Sequence, residues 1–209
     1  MTYSVKEIFY TLQGEGGNAG RAAVFCRFSG CNLWSGLEKH RSEAICKFCD
    51  TDFVGTDGIN GGKYRTSNDL TDKIESTWHG QDSRLVVFTG GEPGLQIKEE
   101  LVSDLQARNF EVAIETNGTV SIPENIDWVC VSPKASTKLL VTKGDELKLV
   151  FPQEGVNPNN FIELDFTHFF LQPLDDANLT KNSLMAVEYC MSHSKWRLST
   201  QTHKILKIP

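Results

Sequence analysis

No apolar run in this chain approaches the roughly 20 residues that a membrane-spanning helix needs, so no span is expected. Basic residues are not in excess either: 21 Lys and Arg stand against 27 Asp and Glu, for a formal charge of −6. A large nucleic-acid footprint requires a concentrated basic face, which that balance argues against; a local basic pocket for a small anion stays open. The opening residues, Met1 to Glu7, lack a basic stretch followed by an apolar core, so no secretory signal is expected there. No Gly-Lys-Ser/Thr phosphate loop, internal repeat, low-complexity tract or linker is discernible. These absences leave the cytoplasm as the expected compartment and one domain, residues 1–209, as the expected organisation.

In a reducing compartment, six cysteines are better read as ligands or buried thiols than as disulfides. Cys26, Cys130 and Cys190 stand singly in apolar or helical surroundings and read as buried small side chains. Cys31, Cys46 and Cys49 differ, because they fall together in a glycine-rich stretch, residues 29–66, with little regular pattern. A loop that long in a compact domain is usually functional or disordered, and ligand-bearing cysteines favour function.

Around that loop, apolar runs rich in Val, Ile and Phe predict strands at Ala23–Phe28, Arg84–Thr89, Glu111–Thr116, Trp128–Ser132, Glu146–Phe151 and His168–Gln172. A further short strand is expected at Arg197–Gln201. Helical patterns cover Ser67–Trp78, with Ser67 as a cap, then Leu95–Arg108 and Asn182–His193. Strand–helix alternation implies parallel pairing. The connections Asn117–Asp127 and Pro133–Asp145 hold too much Pro, Gly and Asn for full crossover helices. The expected fold is therefore α/β: a shortened, open (β/α) barrel of about six parallel strands with few crossover helices.

Cys46 and Cys49 enclose two residues, which lets both thiolates turn toward one metal centre. Three thiolates leave one iron of a [4Fe–4S] cluster open to an outside ligand. On the cysteines alone, a zinc site completed by His40 fits equally well. The strand ends carry further information. Arg84–Thr89 runs into Gly90-Gly91-Glu92-Pro93, where two glycines let a ligand approach the backbone, and Thr89 and Glu92 offer polar groups. Glu115-Thr116-Asn117-Gly118, Ser132-Pro133-Lys134 and Gln172-Pro173-Leu174-Asp175 close later strands. Singly each is turn chemistry; together, at the carboxyl ends of parallel strands, they converge on one mouth. Gly14 to Ala19 matches the text of a dinucleotide fingerprint but precedes a strand, not a helix, and is rejected. His79, His168 and His193 show no ligand spacing and read as surface or helix-end residues.

A strand-end Gly-Gly-Glu-Pro downstream of three cysteines resembles the radical S-adenosylmethionine (SAM) superfamily. The segments Phe9 to Gly16, Ala23 to Phe28, Gly30 to Leu33, Cys49-Asp50-Thr51 and Gln201-Thr202-His203-Lys204, with the strand ends above, are similar to the 7-carboxy-7-deazaguanine synthase family, nearly from first residue to last. One departure is the fourteen residues between Cys31 and Cys46, against the superfamily's commoner three. A subset of this synthase family carries such a longer loop.

The resemblance implies ring contraction of 6-carboxy-5,6,7,8-tetrahydropterin to 7-carboxy-7-deazaguanine with loss of ammonia, SAM being regenerated and Mg²⁺ required. It implies that Cys31, Cys46 and Cys49 bind the cluster, that Phe48, Cys49, Asp50, Gly91, Ser132, Pro133, Lys134, Gln172, Pro173, Leu174 and Asp175 surround SAM, and that Thr51 meets Mg²⁺. Leu12, Gln13, Gly14, Arg27, Thr89 and Pro209 would line the pterin, with Glu15, Glu115 and His203 as weaker pocket members. Arg27, a charge within an apolar strand, would face the substrate carboxylate or else an internal ion-pair partner. An external electron donor such as a flavodoxin and a homodimer are also implied. A glycyl-radical-activating enzyme and a non-catalytic zinc module are the competing readings.

Overall fold

The computed structural model describes residues 2–209. Its elements are β1 (Tyr3–Leu12), β2 (Ala22–Phe28), β3 (Gly62–Tyr64), α1 (Ser67–Thr77), β4 (Arg84–Gly90), α2 (Glu99–Gln106), β5 (Phe110–Thr116), β6 (Trp128–Val131), β7 (Lys143–Phe151), β8 (Asp165–Pro173), α3 (Leu179–Ser192), β9 (Trp196–Leu198) and α4 (Thr202–Leu206), joined by short 3₁₀ turns. The strands form one nine-stranded sheet in the order β3-β1-β2-β4-β5-β6-β7-β8-β9. From β2 through β9 every neighbouring pair is parallel, whereas β1 pairs antiparallel with both β2 and β3. The two edge strands, β3 and β9, do not meet, so the barrel is open.

The α/β parallel architecture agrees with the sequence reading, and the connections β5–β6 and β6–β7 contain no helix among the described residues. The differences lie at the ends. β1 escaped notice because Lys6 and Glu7 interrupt its apolar pattern. Their charges are met by residues distant in sequence: Lys6 Nζ lies 2.9 Å from Asp52 and 2.8 Å from Asp57, and Glu7 is 2.8 Å from Arg27 Nε. β3 is too short to carry a period. The predicted helix from Leu95 begins only at Glu99, after a 3₁₀ turn over Pro93–Leu95.

Alternate residues of each strand face opposite sides of the sheet. One side is apolar and covered: Val86, Phe88, Val112 and Ile114 pack with Leu70 and Ile74 of α1 and Leu101, Val102 and Leu105 of α2. Leu147, Leu149, Phe169 and Leu171 pack with Ala186 of α3. The other side holds a small cluster of Ala23, Leu85, Val87 and Ala113. Toward the carboxyl ends of the parallel strands it turns polar, and there the site lies.

α1 is capped by Thr66, not by Ser67 as expected. Asp69 N–H donates to Thr66 Oγ1 at 3.1 Å, and Thr66 N–H donates to the Asp69 carboxylate at 3.0 Å. Ser67 instead donates to Glu100 on α2. Replacing Thr66 by Ala should lower unfolding free energy by about 1 kcal/mol, with Ser67→Ala affecting only the α1–α2 contact. Urea titration of both variants reads the difference, and an unaltered midpoint for Thr66→Ala would contradict the cap.

Candidate active site

A cavity of about 380 Å³ opens at the carboxyl ends of the strands. The sheet's period of two explains its floor. Phe25 and Arg27 of β2, Thr89 of β4, Glu115 of β5, Lys148 and Val150 of β7 and Gln172 of β8 all point into it, while the residues between them pack on the covered side. The loop at residues 29–66 supplies one wall, and the C-terminal segment supplies Gln201, His203, Lys204 and Pro209.

Every site residue expected from the sequence lines this cavity except one. Leu12, Gln13, Gly14, Arg27, Cys31, Cys46, Phe48, Cys49, Asp50, Thr51, Thr89, Gly91, Ser132, Lys134, Gln172, Pro173, Leu174, Asp175 and Pro209 do so, as do Glu15, Glu115 and His203. Pro133 does not; it is buried, and its carbonyl accepts a hydrogen bond from Gln153 at 3.3 Å. Arg27 borders the cavity, and its guanidinium pairs with Glu7, which is the internal ion-pair alternative. Glu92 departs from the reading of its carboxylate as ligand-facing. It is fully buried and accepts from Thr116 Oγ1 at 2.7 Å, Asn117 N–H at 2.8 Å and Gly94 N–H at 2.9 Å, stapling the end of β4 to that of β5. Burial nevertheless pushes its carboxyl upward.

The three cysteines reach one cavity from a loop that has almost no core of its own. Trp34 and Phe53 meet edge to face at 5.6 Å, and the Arg41 guanidinium sits over Trp34 at 4.1 Å. Arg41 also donates to the carbonyls of Lys47 and Cys49 at 3.0 and 3.1 Å, fixing the turn that carries two of the thiols. Lys6 holds the loop from behind through Asp52, Asp57 and the Val54 carbonyl. At the first cysteine, β4 closes in. Gly91 N–H donates to Phe28 O at 3.1 Å and Glu92 N–H to Gly30 O at 2.9 Å. A Cβ on Gly91 would overlap the Gly30 carbonyl and come within 3.0 Å of the Cys31 side chain.

The zinc site that His40 would complete is not formed. His40 is exposed and bonded to Ser35 at 2.8 Å, outside the cavity. Among the described residues no three His, Cys, Asp or Glu side chains converge as one ion requires. The thiols also have an anion-favouring partner. A hydrogen bond from Cys46 pulls the Cys49 thiol down to about 6 while Cys46 itself is pushed up, and the Lys134 ammonium favours the ionised form of both. Desolvation lowers Lys134 in turn, opposed by those same cysteines. The isolated Cys26, by contrast, is buried and its thiol driven upward by desolvation alone. His168, read as a surface residue, is half-buried and stacked on Trp128.

The residues the sequence reading missed are Lys148, Gln201 and Lys204. Lys148 Nζ bridges Glu15 at 2.5 Å and Glu115 at 3.1 Å with only 6 % of its side chain exposed. Thr89 Oγ1 and Gln13 Nε2 donate to Glu115 at 3.0 and 3.2 Å, and Gln201 Nε2 donates to Glu15 at 3.0 Å. The signal for Lys148 was present: like Arg27, it is a charge at an alternate position of an apolar strand. Lys204 bridges Asp50 at 2.6 Å and Asp175 at 2.5 Å, a pairing no local pattern could reveal.

No family model matches the chain. Curated relatives do. It is 60% identical to a 7-carboxy-7-deazaguanine synthase of Caulobacter vibrioides and 57% identical to one of Burkholderia multivorans, over the full length of each chain. A synthase of the same name from Haemophilus influenzae is 31% identical, covering 99% of this chain and 94% of its own. The crystal structure of QueE from Escherichia coli superposes with a TM-score of 0.70 at 29% identity, over 97% of this chain and 95% of that one.

Removing the shared cation should expose the cost of the two carboxylates it holds. Burial opposes ionisation of Glu115, but Lys148 outweighs it and keeps that carboxyl below its ordinary range; burial likewise opposes the charge on Lys148, which Glu115 and Glu15 more than restore. The Glu115 share of stability is present above its unfolded value of about 4.3 and lost as pH falls through the lower folded one. The Lys148 share is present below about 10.4 and lost as pH rises through its higher folded value. Lys148→Met should therefore cost about 3 kcal/mol at pH 7, with the deficit shrinking below about pH 4. Denaturation midpoints across that range test it; a deficit independent of pH would contradict the ion-pair origin.

Proposed function

The chain belongs to the 7-carboxy-7-deazaguanine synthase family, and from that premise we propose how its cavity is used. It is an enzyme of 7-deazapurine formation, contracting the ring of 6-carboxy-5,6,7,8-tetrahydropterin to 7-carboxy-7-deazaguanine with loss of ammonia. In our reading Cys31, Cys46 and Cys49 hold a [4Fe–4S] cluster, SAM lies between the cysteine wall and the ends of β4, β6 and β8, and the pterin lies over Glu115 and Thr89. When bound, cluster and SAM together supply the one-electron chemistry that begins the reaction at the pterin's C6.

The protein's own part is positioning and exclusion of water. Gly90 and Gly91 let the end of β4 press against the Phe28 and Gly30 backbone, and the carbonyls of this turn would accept from an ammonium group of the cofactor. Phe48, Asp50, Ser132, Lys134, Gln172, Pro173, Leu174 and Asp175 would border the cofactor. Pro133 would act only by fixing the turn between Ser132 and Lys134. Leu12, Gln13, Gly14, Arg27 and Pro209 would border the pterin. Arg27 offers a planar guanidinium to its carboxylate, and Glu15 and Glu115 offer acceptors to its N–H groups. Thr51 would give an oxygen to Mg²⁺, a hard cation that prefers such ligands. Reduction by an external donor such as a flavodoxin, and a homodimer, belong to the same proposal. No helix among the described residues is long and apolar enough to cross a membrane.

The observation that carries this reading is the convergence of three thiols from one loop with the glycine turn and the polar strand ends on one cavity. A protein-sized substrate, as glycyl-radical activation demands, would have to pass the C-terminal segment that borders the same space.

Anaerobic reconstitution tests it directly. With SAM, a reductant, Mg²⁺ and the carboxylated pterin, the deazaguanine product is expected. Intact cluster without product would defeat the assigned reaction; colourless protein holding zinc would defeat the cluster. Ala at any of the three cysteines should abolish the cluster's visible absorption, whereas Cys26→Ala should keep it. Deleting Pro209 should raise the pterin's apparent KM about tenfold if a charge-assisted contact is lost, and unchanged kinetics would refute that role.

A further inference from the structure

In the C-terminal segment that borders the cavity, α4 has no apolar anchor. In α4, Ile205 and Leu206 are 72 % and 56 % exposed. What ties the segment down is polar: Thr202 N–H donates to Gly14 O at 3.0 Å, Thr11 Oγ1 to Pro209 O at 3.0 Å, and the Lys204 ammonium contacts two carboxylates. Those carboxylates come from places far apart in the chain. Asp50 follows Cys49 in the cysteine loop, and Asp175 follows β8. One side chain thus joins the cysteine wall, the end of β8 and the segment bearing His203 and Pro209.

Resting on the function proposed above, we propose that Lys204 is a positioning residue. Its ammonium aligns Asp50 and Asp175 toward SAM and, through α4, holds the substrate-facing C-terminal segment in place, so that cofactor binding and closure of that segment are coupled. Each carboxylate keeps lone pairs beyond the one given to Lys204, so both can accept from ligand hydroxyl or ammonium groups while held. Because the three side chains are 38 %, 51 % and 33 % exposed, the tie is weak and screened by salt. A weak tie can open for a ligand to pass and close behind it.

The test uses full-length protein with its cluster reconstituted, in the absence of reductant so that no turnover occurs. SAM affinity is measured by equilibrium dialysis, and amide hydrogen exchange of residues 200–207 is followed with and without SAM. Lys204→Gln should weaken SAM binding about five- to tenfold, the worth of two half-exposed ion pairs, and should abolish the SAM-induced slowing of exchange. Lys204→Arg, which keeps the charge, should bind within about twofold of the wild type and retain the protection. Raising salt should weaken binding to the wild type more than to the Gln variant. If Lys204→Gln loses the cluster, Lys204→Met, which also removes the charge while nearly keeping the length of the side chain, takes its place with the same expectation. Unchanged affinity and unchanged protection in the tested variant would overturn the role of Lys204 alone. A wild-type protein that holds its cluster yet binds no SAM would overturn the functional reading beneath it.

Discussion

At position 91 there is no room for even a methyl group, because the Gly30 carbonyl occupies the space a Cβ would take. That clearance allows the end of β4 to lace onto the backbone beside Cys31 through two hydrogen bonds. From the other side, the buried Glu92 carboxylate ties the same turn to Thr116 and Asn117 at the end of β5. The first thiol, the glycine turn and two strand ends therefore form one unit whose parts cannot shift separately. The remaining thiols are placed relative to that unit, and the cavity takes its shape from it.

The cavity's charges are arranged on two energetic scales. Lys148 is almost entirely withdrawn from water between Glu15 and Glu115, where an unpaired charge would be costly and salt cannot reach. This pairing belongs to the permanent floor. Lys204 makes the same kind of bridge between Asp50 and Asp175, but half in solvent, where each pair contributes little and yields to salt. The rigid network forms part of the cavity floor, and the yielding one lies at the C-terminal segment that borders the same cavity.

The cysteine loop shows how a long irregular stretch is ordered without a core. Lys6 reaches it from β1, Arg41 caps its carbonyls from within, and Trp34 packs against Phe53. Apart from that aromatic pair, each of these contacts satisfies a backbone carbonyl or a charge. The unusual distance between Cys31 and Cys46 is taken up by a 3₁₀ turn over Glu38–Glu43 that bulges to the surface and leaves the thiols near one another.

Much of this was legible in the residues themselves. Apolar runs located most of the strands, the strand-end motifs marked the rim, and the three cysteines marked the loop, because each is a local pattern with a local cause: period, turn chemistry or ligand type. Arg27 could be singled out for the same reason, as a charge where burial is costly. What the sequence determined, then, was the parallel α/β framework, the loop with its three cysteines and the strand ends that line the cavity. Tertiary structure alone decided that β1 is a strand despite Lys6 and Glu7, that Glu92 turns inward, that His40 stays outside, and that Lys148 and Lys204 each join two carboxylates. Those outcomes depend on which charges meet across the fold, and an ion pair between residues 50 and 204 leaves no trace in the order of residues along the chain.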